Sequence, residues 1–311
     1  MIEVNQVTKY YGNTKAVDDV SFTVDKGEIV GFLGPNGAGK TTTMRMITGF
    51  LYPDKGNIKV AGYDIMDQGI DARRHIGYLP ENVPLYHEMY VKDYFDFVAD
   101  IKGVKKENKK SHISEITGKV GLTEVRNKLI SKLSKGFRQR VGIGEALIGN
   151  PDILIMDEPT IGLDPNQIIE IRNLIRELGK EKTIILSSHI LQEVSALCTR
   201  VIIIHEGKLV AIDTKEELMK NLESGQRIKI LVDNDFNVIK NKIGEIVGIK
   251  MIELMKTENS LNEIIVTAQK DKDIRNDLAR KVIESGFNLF ELSPITMSLE
   301  DVFIKLTREE V

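Results

Sequence analysis

One short segment limits the fold of this chain more than any other: Gly34-Pro35-Asn36-Gly37-Ala38-Gly39-Lys40-Thr41 matches G-x-x-x-x-G-K-[ST] at every fixed position. The approach, Glu28-Ile29-Val30-Gly31-Phe32-Leu33, is short and largely apolar, as a buried strand requires. Beyond the loop, Met44 and Ile47 share one face of an expected helix from Thr41 to Ile47. Strand, glycine loop and helix is the context the motif needs. Glycines let backbone N–H groups wrap an anion, and the positive end of the helix dipole faces the same charge. Lys40 is then expected to reach the β- and γ-phosphates of a nucleotide, and the Thr41 hydroxyl to ligate Mg²⁺.

Beyond the loop, carboxylates gather where such a site needs them. Ile153-Leu154-Ile155-Met156-Asp157-Glu158 is an apolar run followed by two acids, the pattern of a buried parallel strand delivering carboxylates to its C-terminal end. Asp157 suits an indirect hold on the Mg²⁺ opposite Thr41. Glu158 can polarise a water against the γ-phosphate. Another strand, Thr183 to Leu186, ends at Ser187-Ser188-His189, which brings a histidine within range of the phosphate site. Glu81 follows the strand-like His75-Ile76-Gly77-Tyr78-Leu79-Pro80, again where α/β sheets place ligand groups.

Two segments remain open on pattern alone. Tyr11 follows the alternating stretch Ile2 to Val7 and precedes a second, Val20 to Val24. It either stacks on a nucleotide base or packs on an edge strand. In Leu133-Ser134-Lys135-Gly136-Phe137-Arg138-Gln139-Arg140, Ser134 and Gly136 either cap the small-residue helix Val141 to Ile148 or present a hydroxyl and an N–H to an anion.

Between these motifs, Val91, Tyr94, Phe95, Val98 and Ile101 follow helical spacing, and a second helix is expected over Ser111 to Val120. Lysines 105, 106, 109 and 110 fall between the two and read as a solvated connection. Pro165 is expected to open a helix running to Leu178, and Val201 to Ile204 with Lys208 to Ala211 a hairpin. Past Leu222 the pattern becomes strand 227–232, helix 236–246, strands 251–255 and 261–267, helix 274–283 and strand 287–292. That is the β-α-β-β-α-β order of a ferredoxin-like split. A capping box at Ser298-Leu299-Glu300-Asp301 opens an expected last helix through Phe303 and Leu306.

Charge and hydropathy exclude other classes. A net charge of -3 provides no basic field, so nucleic acid is not an expected partner. Neither a secretory leader nor a run of about 18 apolar residues is read in the chain, so it is expected to be cytoplasmic and not to insert in a membrane. Cys198 is the single cysteine and reads as a small core residue.

Taken in order, these motifs resemble the nucleotide-binding subunit of an ABC transporter over roughly residues 1–220. Glu81, the Leu133–Arg140 segment and the small C-terminal domain ending Ser-Leu-Glu-Asp-Val-Phe resemble the subgroup serving ABC-2 type exporters, including gliding-motility ATPase subunits. The resemblance implies a P-loop NTPase (ABC ATPase) α/β core with an antiparallel β subdomain and a helical subdomain at about 85–150. The ATP-binding domain would span 1–222, and a C-terminal α+β (ferredoxin-like) accessory domain 223–311. It also implies ATP and Mg²⁺ as cofactors, with Tyr11 stacking on adenine and Gly34 to Thr42, Thr42 included, holding the phosphates. Ser134 and Gly136 then belong to the signature segment Leu133–Phe137, Asp157 closes the Walker B strand, and Glu158 is the general base. Ile161–Asp164 is the D-loop and His189 the switch histidine, with Thr41, Glu81 and Asp157 around the metal.

In that family two subunits pair head to tail, each signature segment completing the other's site. The expected partners are thus a second copy of this chain and an ABC-2 type membrane permease, which holds the ATPase at the inner face of the cell membrane while ATP drives export. Two positions depart from the family pattern. Glu81 stands for the usual Q-loop glutamine and cannot donate an N–H. Lys135 replaces a signature glycine, placing a cation either near the partner's ATP or in solvent. An alternative assignment, a soluble ABC ATPase of translation or DNA repair, fits less well. Only one P-loop is present, and the stretch from Lys40 to Ser134 is too short for a long coiled coil and lacks sustained heptads.

Overall fold

Alternation of apolar and polar residues builds the first sheet. In Ile2–Tyr11 (β1), Ile2, Val4 and Val7 are buried while Glu3 and Asn5 face out. Thr14–Val24 (β2) pairs with it antiparallel, and Lys55–Val60 (β4) pairs on its other side. The short strand Tyr63–Asp64 (β5) completes the order β2-β1-β4-β5. The computed structural model describes residues 1–214, 216–218, 227–258, 261–269, 272–295 and 303. It divides into two compact units, Met1–Lys215 and Glu216–Val311.

The second sheet of the first unit has a different character because both its faces are covered. Ile29–Leu33 (β3), Ile76–Leu79 (β6), Ile153–Asp157 (β7), Thr183–Ser188 (β8), Arg200–His205 (β9) and Lys208–Thr214 (β10) lie in the order β10-β9-β3-β8-β7-β6. All neighbouring pairs are parallel except the β9–β10 hairpin. Every residue of β3, β7 and β8 is buried, which is why their sequences run apolar instead of alternating. Inward residues of both sheets, among them Val4, Val24, Phe32, Ile58, Ile155 and Ile202, share one core.

Seven α-helices are described in this unit. Lys40–Ile47 (α1) leaves the P-loop, and Gly69–Arg74 (α2) precedes β6. Val91–Ile101 (α3) and Lys106–Lys119 (α4) form the helical insertion with Lys135–Leu147 (α5). Pro165–Leu178 (α6) starts at the expected proline, with Asp164 accepting a capping hydrogen bond from Gln167 N. Leu191–Leu197 (α7), α2 and β5 are too short to show a period in the sequence.

Two expectations change here. Ile101 is not part of the apolar stripe of α3: it is 68% exposed, two residues past Ala99, the last buried position. The lysine run is solvated only in part: Lys105, Lys106 and Lys110 are exposed as expected, but α4 begins at Lys106 and Lys109 is buried, its ammonium 2.7 Å from Asp96 and 2.8 Å from Asp100. Those acids lie one turn apart on α3, so one lysine pins the two helices together. The small residues of α5 have a packing reason: a side chain at Gly144 would meet the Phe95 ring.

The second unit has the expected element order. Arg227–Asp233 (β11), Phe236–Ile243 (α8), Ile249–Glu258 (β12), Leu261–Ala268 (β13), Arg275–Glu284 (α9) and Leu289–Ile295 (β14) give an antiparallel sheet in the order β12-β13-β11-β14. Ile228, Ile230, Ile239, Ile264, Leu278 and Val282 fill its core. The expected final helix at 298–306 lies outside the described residues, apart from helical Phe303.

Candidate active site

The P-loop owes its shape to glycines at two tight places. Gly39 caps α1 at φ 103, a left-handed angle, and a Cβ there would lie 2.5 Å from the Ala16 carbonyl oxygen. A Cβ on Gly34 would run into the Ile204 carbonyl oxygen of β9. Ala38 N donates to Pro35 O at 3.2 Å and closes the turn, with Asn36 and Gly37 (φ 82) at its tip. The result is a cavity of about 320 Å³ whose lining includes Asn36, Gly37, Gly39, Lys40, Thr41, Thr42, Glu81 and Glu158. Lys40 is 6% exposed, and its ammonium donates to Gly34 O at 2.8 Å and Pro35 O at 3.3 Å.

The acids come from β7. Asp157 is 1% exposed, and one carboxylate oxygen accepts from Ser187 Oγ at 2.6 Å while the other is buried without a hydrogen-bond partner. Glu158 turns the chain sharply, with φ 49, a left-handed angle that costs a non-glycine residue and is held by its N–H donating to Ser187 Oγ at 2.9 Å. Its carboxylate lies 3.5 Å from Lys40 Nζ and 2.9 Å from His189 Nδ1. A carboxylate, an ammonium and an imidazole, from the end of β7, the start of α1 and the end of β8, therefore meet at one point.

Oxygen donors fit a small divalent cation here. The unpartnered Asp157 Oδ2 and the cavity-lining Thr41 and Glu81 are hard ligands. Among the described residues no group of three or more His, Cys, Asp or Glu is placed to hold a metal ion.

Other sequence-derived candidates lie elsewhere. Tyr11 stands at the end of β1, 48% exposed, and does not line the cavity. Ser134 caps α5, accepting from Phe137 N at 3.3 Å, and Gly136 packs against the Gln167 side chain. The Lys135 ammonium rests against Gly162 of its own chain. None of Ser134, Lys135 and Gly136 lines the P-loop cavity, although Ile161, from the loop that Lys135 touches, does.

Several residues carrying the geometry gave no sequence signal. Ser187 joins Asp157 to Glu158, and Gln139 Nε2 donates to Pro159 O at 2.8 Å, fixing α5 to the turn after Glu158. A second groove, about 690 Å³, is lined by Arg45, Phe50, Tyr78, Pro84 and Lys102 among others. Burial, followed by the nearby Asp157 charge, pushes the pKa of the Tyr78 hydroxyl there up to about 12, so it stays neutral.

Comparison with known proteins agrees with this geometry. Residues 17–161 match the family model described as ABC transporter. The bacitracin transport ATP-binding protein BcrA of Bacillus licheniformis is 35% identical over 98% of this chain and 97% of its own length. The linearmycin resistance ATP-binding protein LnrL of Bacillus subtilis (strain 168) is 33% identical over 99% of this chain and 98% of its own. Among solved structures, the dimeric structure of MJ0796, a bacterial ABC transporter cassette, superposes with a TM-score of 0.63 at 25% identity, covering 69% of this chain and 98% of that one. The chain belongs to the ABC transporter ATP-binding protein family, as an ATP-hydrolysing subunit.

Proposed function

We propose that this chain drives an ABC-2 type exporter: two copies close on two ATP molecules, hydrolysis reopens them, and the motion is passed to a membrane permease. The observation that carries this reading is a divided site. Lys40 and Glu158 line one cavity and His189 bonds to Glu158, while Ser134 and Gly136, capable of presenting a hydroxyl and an N–H, are not part of its lining. A second copy turned head to tail supplies what each cavity lacks.

In the proposed mechanism the backbone of Gly34 to Thr42 cradles the triphosphate, and Lys40 moves from the Gly34 and Pro35 carbonyls onto the β- and γ-phosphates. Thr41 and Asp157, with Glu81 beside them, hold Mg²⁺, which when bound neutralises charge developing on the phosphate oxygens. Glu158 takes a proton from water, whose oxygen bonds to the γ-phosphorus. The bond from that phosphorus to the β–γ bridging oxygen breaks, and ADP and phosphate leave. His189, hydrogen-bonded to Glu158, holds that carboxylate in line. Tyr11 stacks on the adenine from the β1 end.

The permease is assigned to the 690 Å³ groove. Phe50 at its edge is 73% exposed, and nearby Tyr86, 56% exposed, stands edge-on to Phe97 at 5.6 Å. Exposed aromatic clusters of this kind suit a partner surface. Among the described residues no helix is long and apolar enough to cross a membrane, so attachment at the inner face of the cell membrane is assigned to that partner. The names of BcrA and LnrL, a bacitracin transport and a linearmycin resistance protein, support export as the direction.

The test is purification of tagged protein from detergent-solubilised native membranes, with Glu158→Gln alongside to trap the ATP-bound pair. A stoichiometric multispan membrane protein supports the reading. Ribosomes, nucleic acid or the chain alone would overturn it.

A further inference from the structure

We propose that Glu193 is a positioning residue for hydrolysis: its buried carboxylate ties the turn carrying Glu158 to the turn carrying His189, and through Arg172 ties both to α6. The inference rests on the reading of Glu158 and His189 as the hydrolytic pair.

Glu193 lies on α7 and is 3% exposed. One oxygen, Oε2, accepts from Thr160 Oγ1 at 2.5 Å and from Ser188 Oγ at 3.2 Å. Thr160 is two residues past Glu158, and Ser188 immediately precedes His189. Both are buried, at 4% and 0% exposure. The Ser188 hydroxyl also accepts from Ile190 N at 2.9 Å, so the histidine sits inside a closed turn. The other Glu193 oxygen faces Arg172 at 3.6 Å, and Arg172 Nε is itself buried without a hydrogen-bond partner.

A carboxylate taken out of water is costly unless its oxygens are filled, and an apolar side chain packs such a place at least as well. Here the oxygens are filled by groups from three separate elements, two of which carry the hydrolytic pair. One carboxylate oxygen shared by both turns makes a shift of either turn a shift of both. Arg172 extends the link to the helix that begins at the 161–164 loop, beside Lys135 and Gly136. A displacement of α6 thereby reaches Glu158 and His189 by way of one ion pair.

The test uses the full chain and measures steady-state ATPase rate, KM for ATP and thermal unfolding in Thr160→Val, Thr160→Ser, Glu193→Gln and Glu158→Gln. A base displaced by about 1 Å loses about 10²-fold. Thr160→Val and Glu193→Gln should each lower kcat by about 10- to 100-fold while KM stays within about threefold, the mark of an interaction used in the transition state. Thr160→Ser, which keeps the hydroxyl, should recover most of kcat. Combining Thr160→Val with Glu193→Gln should cost no more than the worse single change, because the Thr160–Glu193 bond is common to both. Single variants that keep kcat within about twofold overturn the proposal. So does a kcat loss matched by an equal rise in KM and a fall in unfolding temperature, which marks a merely structural contact. If Glu158→Gln itself keeps the normal rate, the underlying reading of the pair fails first, and the proposal with it.

Discussion

Replacing Ser187 by alanine removes one hydroxyl and leaves two functional groups unsatisfied. Ser187 is 0% exposed, donates to Asp157 Oδ1 at 2.6 Å and accepts from Glu158 N at 2.9 Å. A hydrogen bond to a charged group contributes about 1.5–3 kcal/mol, and a buried N–H left without a partner costs about 1–3 kcal/mol. The two losses overlap because alanine relaxes the turn, so a destabilisation of about 3 kcal/mol is expected. For a unit of this size each kcal/mol lowers the midpoint by about 2–4 °C, which sets the shift at about 6–12 °C. The left-handed backbone at Glu158 also loses its tether, and kcat should fall by about 10- to 100-fold. Calorimetry on the full chain and a coupled-enzyme ATPase assay read both quantities. A midpoint shift under about 2 °C together with an unchanged rate would refute the argument, since it would mean that neither hydrogen bond carries the turn.

Removing the Glu158 carboxylate by Glu158→Gln should slow hydrolysis by about 10²- to 10⁴-fold with nucleotide binding retained, as checked by filter binding beside steady-state turnover. Lys40→Ala should instead abolish binding, because the triphosphate loses its buried cation, and a nucleotide titration that matched the unmodified chain would contradict this. Deleting residues 223–311 should leave nucleotide affinity intact but alter pairing or permease association, measured by light scattering and co-purification. Loss of nucleotide binding in the shortened chain would place the domain boundary elsewhere.

The parts of the site legible in the sequence are those whose chemistry is local. Gly34 to Thr41 forms a loop from its own residues, and Asp157-Glu158 follows a strand that the apolar run announces. What stayed hidden depends on contacts between elements far apart in the chain. Ser187 and Glu193 are ordinary residues until β8 and α7 are laid beside the Glu158 turn, 29 residues away along the Glu158–Ser187 bond and 33 along the Thr160–Glu193 bond. Lys109 misled for the same reason: a charge run carries no period, and only the placement of Asp96 and Asp100 on α3 shows that this lysine belongs inside. In the second unit the strand order followed from the element order, because a split β-α-β-β-α-β arrangement has few ways to close a sheet.

The order β3-β8-β7 makes the sheet a caliper. Strands lie about 4.8 Å apart, so the P-loop strand and the acid-bearing strand are held about 10 Å from one another, with β8 as the shim between the jaws. The pairing Leu33 with Ser188 and Asp157 with Ser187 sets all three tips level. Lys40 and Glu158 touch only because each reaches inward across that gap. Sensitivity to substitution should therefore concentrate in Thr183–Ser188, six buried residues that contribute no group to the phosphates but set the opening of the jaws. A scan of β8 with side chains one methylene larger or smaller would read the tolerance of that gauge directly.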